Sequence, residues 1–146
     1  MLDKTKPART ADKSASSGGK ENKKRILIVE DDRTLVEMYK EKLKLEGFLV
    51  STALDGKKAM PKIKKGADLI LLDILMPGLN GFEVLKKVQS DEKIKSTPIV
   101  VLTNIGSDSF DNDKKLALSL GATDYMIKAL NTPEDVIKKI NTILFR

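Results

Sequence analysis

The stretch Ile26-Leu-Ile-Val-Glu-Asp-Asp32 decides the fold, because a continuous apolar run ends there on a row of acids. Unbroken β-branched and aliphatic residues are typical of a strand that is covered on both faces. Similar runs recur along the chain and make five in all: Phe48-Leu-Val50 continuing to Ala53, Leu69-Ile-Leu-Leu72, Ile99-Val-Val-Leu102 and Tyr125-Met-Ile127. The sequence therefore predicts a sheet of five buried strands.

Amphipathic segments separate these runs, and their apolar residues recur at the spacing of a helix face. Gly47, Gly66 and Gly121 follow three of the segments, where helices commonly end in a left-handed residue. Pro133 suits the start of the last helix, because its missing N–H costs nothing in the first turn. These units predict an α/β fold, a flavodoxin-like (βα)5 doubly wound parallel sheet of strand order 2-1-3-4-5, which binds ligands beyond the carboxyl ends of its strands.

Composition excludes several kinds of site. The chain of 146 residues contains no Cys, no His and no Trp, so it forms no disulfide, no thiolate zinc site and no Ser-His-Asp triad. No stretch approaches the roughly 18 consecutive apolar residues of a membrane span. We therefore expect a cytoplasmic protein that does not insert into a membrane.

Positive charge is unevenly spread along the chain. The net charge is +6, and residues 1–24 hold seven Lys or Arg against three acids. This segment is rich in Lys, Ser and Gly and cannot bury enough apolar surface to fold. We expect a disordered basic tail at 1–24 and one domain at 25–146. No direct contact with nucleic acid is expected, because no aromatic residue interleaves the charges of the tail.

Four of the predicted strands end on groups that carry chemistry. The first run leads into Glu30-Asp31-Asp32, the third into Asp73, the fourth into Thr103 and the fifth into Lys128. In the order 2-1-3-4-5 these groups converge on one crevice. Crowded carboxylates favour a hard divalent cation, and oxygen ligands without His or Cys favour Mg²⁺ or Mn²⁺ over zinc. With the cation, a nucleophilic carboxylate, a hydroxyl and an ammonium form a phosphoryl-transfer site.

Four stretches carry a family resemblance: Ile26-Leu-Ile-Val-Glu-Asp-Asp32, Leu69-Ile-Leu-Leu-Asp-Ile-Leu-Met-Pro-Gly-Leu-Asn-Gly81, Pro98-Ile-Val-Val-Leu-Thr103 and Gly121-Ala-Thr-Asp-Tyr-Met-Ile-Lys128. On these residues the chain resembles the receiver domains of two-component response regulators, over residues 25–146. The resemblance implies that Asp73 accepts a phosphoryl group from a sensor histidine kinase or a phosphotransfer protein. It describes a switch protein that catalyses only its own phosphorylation and dephosphorylation, not an enzyme with an external substrate.

The resemblance also implies a ligand set for magnesium. Asp31 is expected to bind the ion directly beside Asp73, Glu30 through a water molecule, and Leu75 through its backbone carbonyl. Asp32 lies one place beyond the acidic pair of the family. It is expected to cap a helix or to play no part.

The switch and its output follow from the same resemblance. Thr103 and Lys128 are expected to contact phosphoryl oxygens, and the Tyr125 ring to follow the movement of Thr103. In such domains the surface of the fourth helix, fifth strand and fifth helix reports the change to a protein partner. Because no output domain accompanies the domain in this sequence, we expect a stand-alone regulator of the chemotaxis type, a monomer or a weak dimer.

Three departures from the family pattern leave details open. Ala129 follows Lys128 where Pro with a cis bond is common, so either the peptide is trans and the loop differs or the bond is strained. Asn104 replaces a small residue after Thr103. Leu75 and Ile105 are apolar at positions that often carry polar side chains near the phosphoryl group.

Two other functions were weighed. A phosphorylation-independent pseudo-receiver of the same fold would be marked by a missing acid, Thr or Lys, and none is missing here. A haloacid-dehalogenase-type phosphohydrolase would carry its nucleophile after the first strand, whereas Asp73 follows the third. The receiver function is therefore the preferred interpretation.

Overall fold

Strands and helices alternate in the computed structural model, which describes residues 23–104 and 110–145. The strands are β1 (Arg25–Val29), β2 (Leu49–Ala53), β3 (Leu69–Leu72), β4 (Ile99–Thr103) and β5 (Asp124–Ile127), and the helices are α1 (Arg33–Leu45), α2 (Gly56–Lys65), α3 (Gly81–Gln89), α4 (Phe110–Ser119) and α5 (Pro133–Leu144). All pairs in the sheet are parallel, in the order β2-β1-β3-β4-β5. The predicted fold class and strand order are confirmed.

The sheet separates two apolar cores, which explains the unbroken apolar runs. On β1, Leu27 and Val29 enter one core while Ile26 and Ile28 enter the other. The first core is closed by residues of α2, α3 and α4: Ala59, Ile63, Val84, Leu85, Val88 and Ala117. The second is closed by residues of α1 and α5: Val36, Tyr39, Leu43, Val136 and Ile140. Since both faces of the central strands are covered, alternate residues need not be polar.

The second strand begins one residue later than its apolar run. The Phe48 N–H donates to the carbonyl of Leu43 at 3.1 Å, so this residue completes the end of α1. The turn depends on Gly47, whose φ of +96° is rarely adopted by other residues. Gly66 and Gly121 have positive φ as well, which confirms the three predicted helix ends.

The segment after β5 settles the open question at Lys128. The peptide bond between Lys128 and Ala129 is trans, and the chain forms a short 3₁₀ helix over Lys128–Leu130. Pro133 then opens α5 as predicted, after a capping box in which Thr132 accepts from the Asp135 N–H.

The structure leaves two sequence-based features as predictions. Residues 1–22 of the expected tail and Ile105 lie outside the described residues. Within the described ranges, no helix has the length and apolar character needed to cross a membrane.

Candidate functional site

Glu30 and Asp73 lie side by side at the carboxyl end of the sheet. Each continues a strand by one residue: the Glu30 N–H donates to the Ala53 carbonyl at 3.0 Å, and the Asp73 N–H to the Val29 carbonyl at 2.9 Å. Both residues are 5% exposed. The backbone ladder thus fixes two buried carboxyl groups next to each other.

Asp31 completes an acidic cluster with these two residues. One carboxylate oxygen from each of Glu30, Asp31 and Asp73 lies within 4.8 Å of the others, and Asp31 is exposed. The structure therefore brings together the three side chains that the sequence proposes as magnesium ligands. Their donor set is oxygen only, which suits Mg²⁺ or Mn²⁺.

Lys128 compensates part of this charge. Its Nζ donates to Glu30 Oε1 at 2.7 Å and lies 3.6 Å from Asp73 Oδ2. Lys128 and Glu30 are 98 residues apart in sequence. The Lys128 side chain is only 17% exposed. One ammonium among three ionised carboxylates leaves a charge that a divalent cation would neutralise, so the residues fit such an ion.

Burial controls the acidity of Glu30. Loss of hydration raises the pKa of Glu30 to about 7, and the charge of Asp73 adds to this effect. The ammonium of Lys128 and the N–H of Asp32, which donates to Glu30 Oε2 at 3.1 Å, act in the opposite direction. Because burial and Asp73 both disfavour the ionised form of Glu30, a positive charge close to its carboxylate stabilises that form.

Asp32 does not belong to the acidic cluster. Its carboxylate caps α1 by accepting from the N–H groups of Thr34 at 3.0 Å and Leu35 at 3.2 Å. A negative charge is favourable at this end of a helix. Of the two roles foreseen for Asp32, the structure shows the cap.

Thr103 and Tyr125 lie on the adjacent strands β4 and β5. Thr103 ends β4 and is fully buried, and its Oγ1 has no hydrogen-bond partner among the described residues. The strands pair Val101 with Tyr125 and Thr103 with Ile127. Tyr125 is 4% exposed in the core that faces α2, α3 and α4. Burial, aided by the charge of Asp113, raises the pKa of Tyr125 to about 12.

The loop after Asp73 is held by a backbone contact to the acidic cluster. The Leu75 N–H donates to Asp73 Oδ1 at 3.2 Å, while the Leu75 side chain is 60% exposed. Asn104, which follows Thr103, is also exposed. The proposed role of the Leu75 carbonyl stays a prediction.

Gly81 is a positioning residue that the sequence analysis did not identify. It is the first residue of α3, and its N–H donates to the Ile74 carbonyl at 3.0 Å. A Cβ at Gly81 would lie 2.6 Å from the Asp73 carbonyl oxygen and 2.7 Å from Ile74 Cα. A side chain there would therefore push against the backbone that presents Asp73. In the sequence, the position of Gly81 directly after the capping residue Asn80 was the one sign that it begins a helix beside the site.

Comparison with known proteins gives the same architecture. The family model described as "Response regulator receiver domain" matches residues 26–141. The chain is 41% identical over 122 residues to the transcriptional regulatory protein CpxR of Escherichia coli K12, covering 84% of this chain and 50% of that protein. It is 37% identical over 124 residues to the alkaline phosphatase synthesis transcriptional regulatory protein PhoP of Bacillus subtilis, covering 84% and 49%.

A solved structure extends the comparison to a protein that this chain covers almost completely. The chemotaxis protein CheY4 of Vibrio cholerae superposes with a TM-score of 0.75 at 32% identity, covering 84% of this chain and 99% of that one. The chain spans about half the length of the curated relatives it matches. On sequence and fold together, this chain belongs to the response regulator receiver domain family of two-component systems.

Proposed function

We propose that the chain is a phosphorylation-controlled switch in which Asp73 accepts a phosphoryl group from a histidine kinase or a phosphotransfer protein. The observation that carries the proposal is the position of Asp73. Its carboxylate lies in the acidic cluster with Glu30 and Asp31 and 3.6 Å from the ammonium of Lys128. A nucleophilic carboxylate beside a cation site and a fixed ammonium suits phosphoryl transfer.

In the proposed reaction, an Asp73 oxygen forms a bond to phosphorus as the phosphorus–nitrogen bond of the donor phosphohistidine breaks. The electron pair of that bond stays on the departing imidazole, which is protonated by solvent. Mg²⁺ would be held by Asp31, Asp73 and the Leu75 carbonyl, and by Glu30 through a water molecule, and it would supply the charge that offsets the phosphoryl oxygens. Lys128 would add a second positive charge to them.

Thr103 supports a switching role. Its hydroxyl is buried without a partner among the described residues, and a phosphoryl oxygen in the crevice would be an acceptor for it. Movement of this hydroxyl would free space for the ring of Tyr125 on the neighbouring strand. The change would then reach the surface formed by α4, β5 and α5, which we propose as the docking site of a protein target.

The experiment that tests the proposal uses acetyl phosphate as a small phosphodonor. With Mg²⁺ present, the intact mass should rise by one phosphoryl group, and Asp73→Asn should abolish this rise. Asp32→Asn is the matched control, since Asn also caps helices and Asp32 lies outside the acidic cluster. Labelling of Asp73→Asn equal to that of wild type would refute the assignment, and no labelling of wild type would favour a pseudo-receiver.

The stand-alone state is a separate part of the proposal. The relatives CpxR and PhoP are about twice as long as the matched region, so the length of the native product decides it. Immunoblots of the source cells measure that length, and a species near 16.1 kDa would support the stand-alone state. A product of about twice this mass would overturn the expectation while leaving the role of Asp73 intact.

A further inference from the structure

Positive charge in the folded domain is concentrated on α2. The helix carries five lysines and no acid, so the rest of the chain contributes only +1 to the net charge of +6. We call these residues the lysine face: Lys57, Lys58, Lys62, Lys64 and Lys65. All five are exposed, and no ion pair joins any of them to a carboxylate of the described ranges.

The lysine face is unfavourable for the helix that carries it. Lys58 and Lys62 are four residues apart and Lys62 and Lys65 three apart, spacings at which like charges repel. Lys57 and Lys58 also lie near the N-terminus of α2, where the helix dipole disfavours cations. Pro61 inside the helix removes a further backbone hydrogen bond. The fold compensates this only in part, since Lys62 donates to the Thr52 carbonyl and Asp55 caps the start of α2. A segment that breaks several local rules is typical of a functional surface.

Grooves flank α2 on both sides. Lys57 and Lys64 line a groove of about 590 Å³ with Lys87 of α3, and Asp91 and Glu92 line it too. On the other side, Lys62 and Lys65 line a groove of about 350 Å³ with Arg25, beside the edge strand β2. The cations therefore form two rows along the solvent side of α2, one toward each groove.

We propose that the lysine face binds the phosphate backbone of double-stranded nucleic acid without reading its sequence. The major groove of B-DNA is about 12 Å wide, so a helix of about 10–12 Å lying against it meets a phosphate row on either side. Lysine suits this contact as a mobile point charge. Between the two rows, Pro61 has neither a side-chain donor nor a backbone N–H, so this part of α2 offers nothing that reads a base edge.

Two other polyanions fit the observations less well. A helix that docks on a membrane inserts an apolar face, whereas Ala59 and Ile63 of α2 are buried in the core. An acidic protein surface presents scattered carboxylates rather than two dense rows of charge. The density and the two-row arrangement favour the duplex, and the proposal replaces the expectation that the chain makes no direct contact with nucleic acid.

The test measures binding of the full chain to a labelled duplex of mixed sequence, about 20 base pairs long, by fluorescence anisotropy. If five lysines contact phosphates, log K should fall with log salt at a slope of about −4 to −5 between about 50 and 200 mM salt. The triple variant K58Q/K62Q/K65Q should reduce that slope by about 2 to 3 and weaken binding about 100-fold at low salt.

Matched variants separate the lysine face from bulk charge and from misfolding. K44Q/K93Q/K138Q removes the same charge from other exposed lysines and should change binding less than about threefold. K58R/K62R/K65R keeps the charge and should bind as wild type does. Thermal melting of each variant, followed by circular dichroism, checks that it is folded.

Four results would overturn the proposal. They are an absence of duplex binding at low salt, an equal loss in both Gln variants, loss in the Arg variant, and tighter binding to phosphatidylglycerol vesicles or polyglutamate than to duplex. Asp73→Asn should bind the duplex as wild type does. Failure of this inference therefore leaves the phosphoacceptor proposal untouched.

Discussion

The acidic crevice and the lysine face hold their charges in different ways. In the crevice, Glu30 and Asp73 are almost fully buried and are joined by Lys128. On α2 all charges have one sign, and water hydrates them. Buried charges must be compensated within the protein, whereas exposed ones are screened. Changes in the crevice should therefore alter stability and chemistry together, and changes on the lysine face should alter binding with only small effects on stability.

The largest expected difference comes from the same substitution in the two regions. Lys128→Met leaves Glu30 and Asp73 buried without their cation, and we expect the free energy of unfolding to fall by about 2–3 kcal/mol. Lys58→Met removes an exposed charge and should change it by less than about 0.5 kcal/mol. Urea denaturation at about pH 8, above the pKa of about 7 for Glu30, measures both. Similar effects of the two variants would contradict the comparison.

Magnesium should stabilise the folded protein only by binding to the acidic cluster in the crevice. An ion that binds the folded state adds about 1.4 kcal/mol at ten times its Kd, and the melting temperature should rise accordingly. Asp31→Ala should remove most of this rise, because it deletes one of the three clustered carboxylates. The variant K58Q/K62Q/K65Q should keep the full response. An unchanged melting temperature of wild type in millimolar Mg²⁺ would exclude the metal site.

The phosphoryl group on Asp73 should be long-lived, because Leu75 cannot orient a water molecule for attack on phosphorus. Leu75→Asn supplies a hydrogen-bonding group two residues from Asp73 and should speed hydrolysis up to about tenfold, which corresponds to about 1.4 kcal/mol in the barrier. Leu45→Asn is the control, since Leu45 is 86% exposed at the far end of α1. Decay of the phosphorylated mass with time gives the rates. Equal lifetimes in all three proteins would show that Leu75 does not control this step.

These differences also explain how far the sequence predicts the molecule. Apolar runs such as Leu69–Leu72 are local signals that predict the strands. The alternation of strands and helices predicts their order, and with it the residues that meet at the crevice. The ion pair of Lys128 with Glu30 joins residues 98 positions apart, and its geometry depends on the loop after β5. The role of Gly81 is likewise a matter of close approach in space.

The sequence did not predict the lysine face, for a different reason. Summed over residues 25–146, 20 basic residues nearly balance 18 acids, so the domain as a whole looks neutral. The excess of positive charge becomes visible only when the charges of α2 are summed separately, as those of one helix with a single solvent face. Local sums over predicted elements, rather than over domains, would have revealed it.

A smaller effect is expected at Thr103, the buried crevice group that has no partner among the described residues. Thr103→Val keeps the volume and removes the hydroxyl, so the free energy of unfolding should stay equal or rise by up to about 1 kcal/mol. The variant should still accept phosphate on Asp73. It should not pass the change to backbone amides near Lys114, Lys115 and Tyr125. Wild-type spectral shifts at these amides in phosphorylated Thr103→Val would contradict the proposed coupling.

The smallest expected effect concerns Asp124, an acid at the start of β5 with a half-exposed partner. Burial acts to raise the pKa of Asp124, but the ion pair with Lys139 at 2.8 Å and the N–H of Tyr125 outweigh it and leave the pKa below its usual value. A carboxyl group whose pKa is lower in the folded state adds stability above its unfolded pKa of about 3.9, and this gain is lost as pH falls through the folded pKa.

Lys139→Met should therefore cost about 0.5 kcal/mol at neutral pH, a value reduced by solvent screening. The cost should shrink as the pH falls below the unfolded pKa of about 3.9 and disappear once Asp124 is protonated in the folded state as well. Urea denaturation across this range measures it, and a cost independent of pH would assign the effect to packing of the Lys139 side chain rather than to its charge.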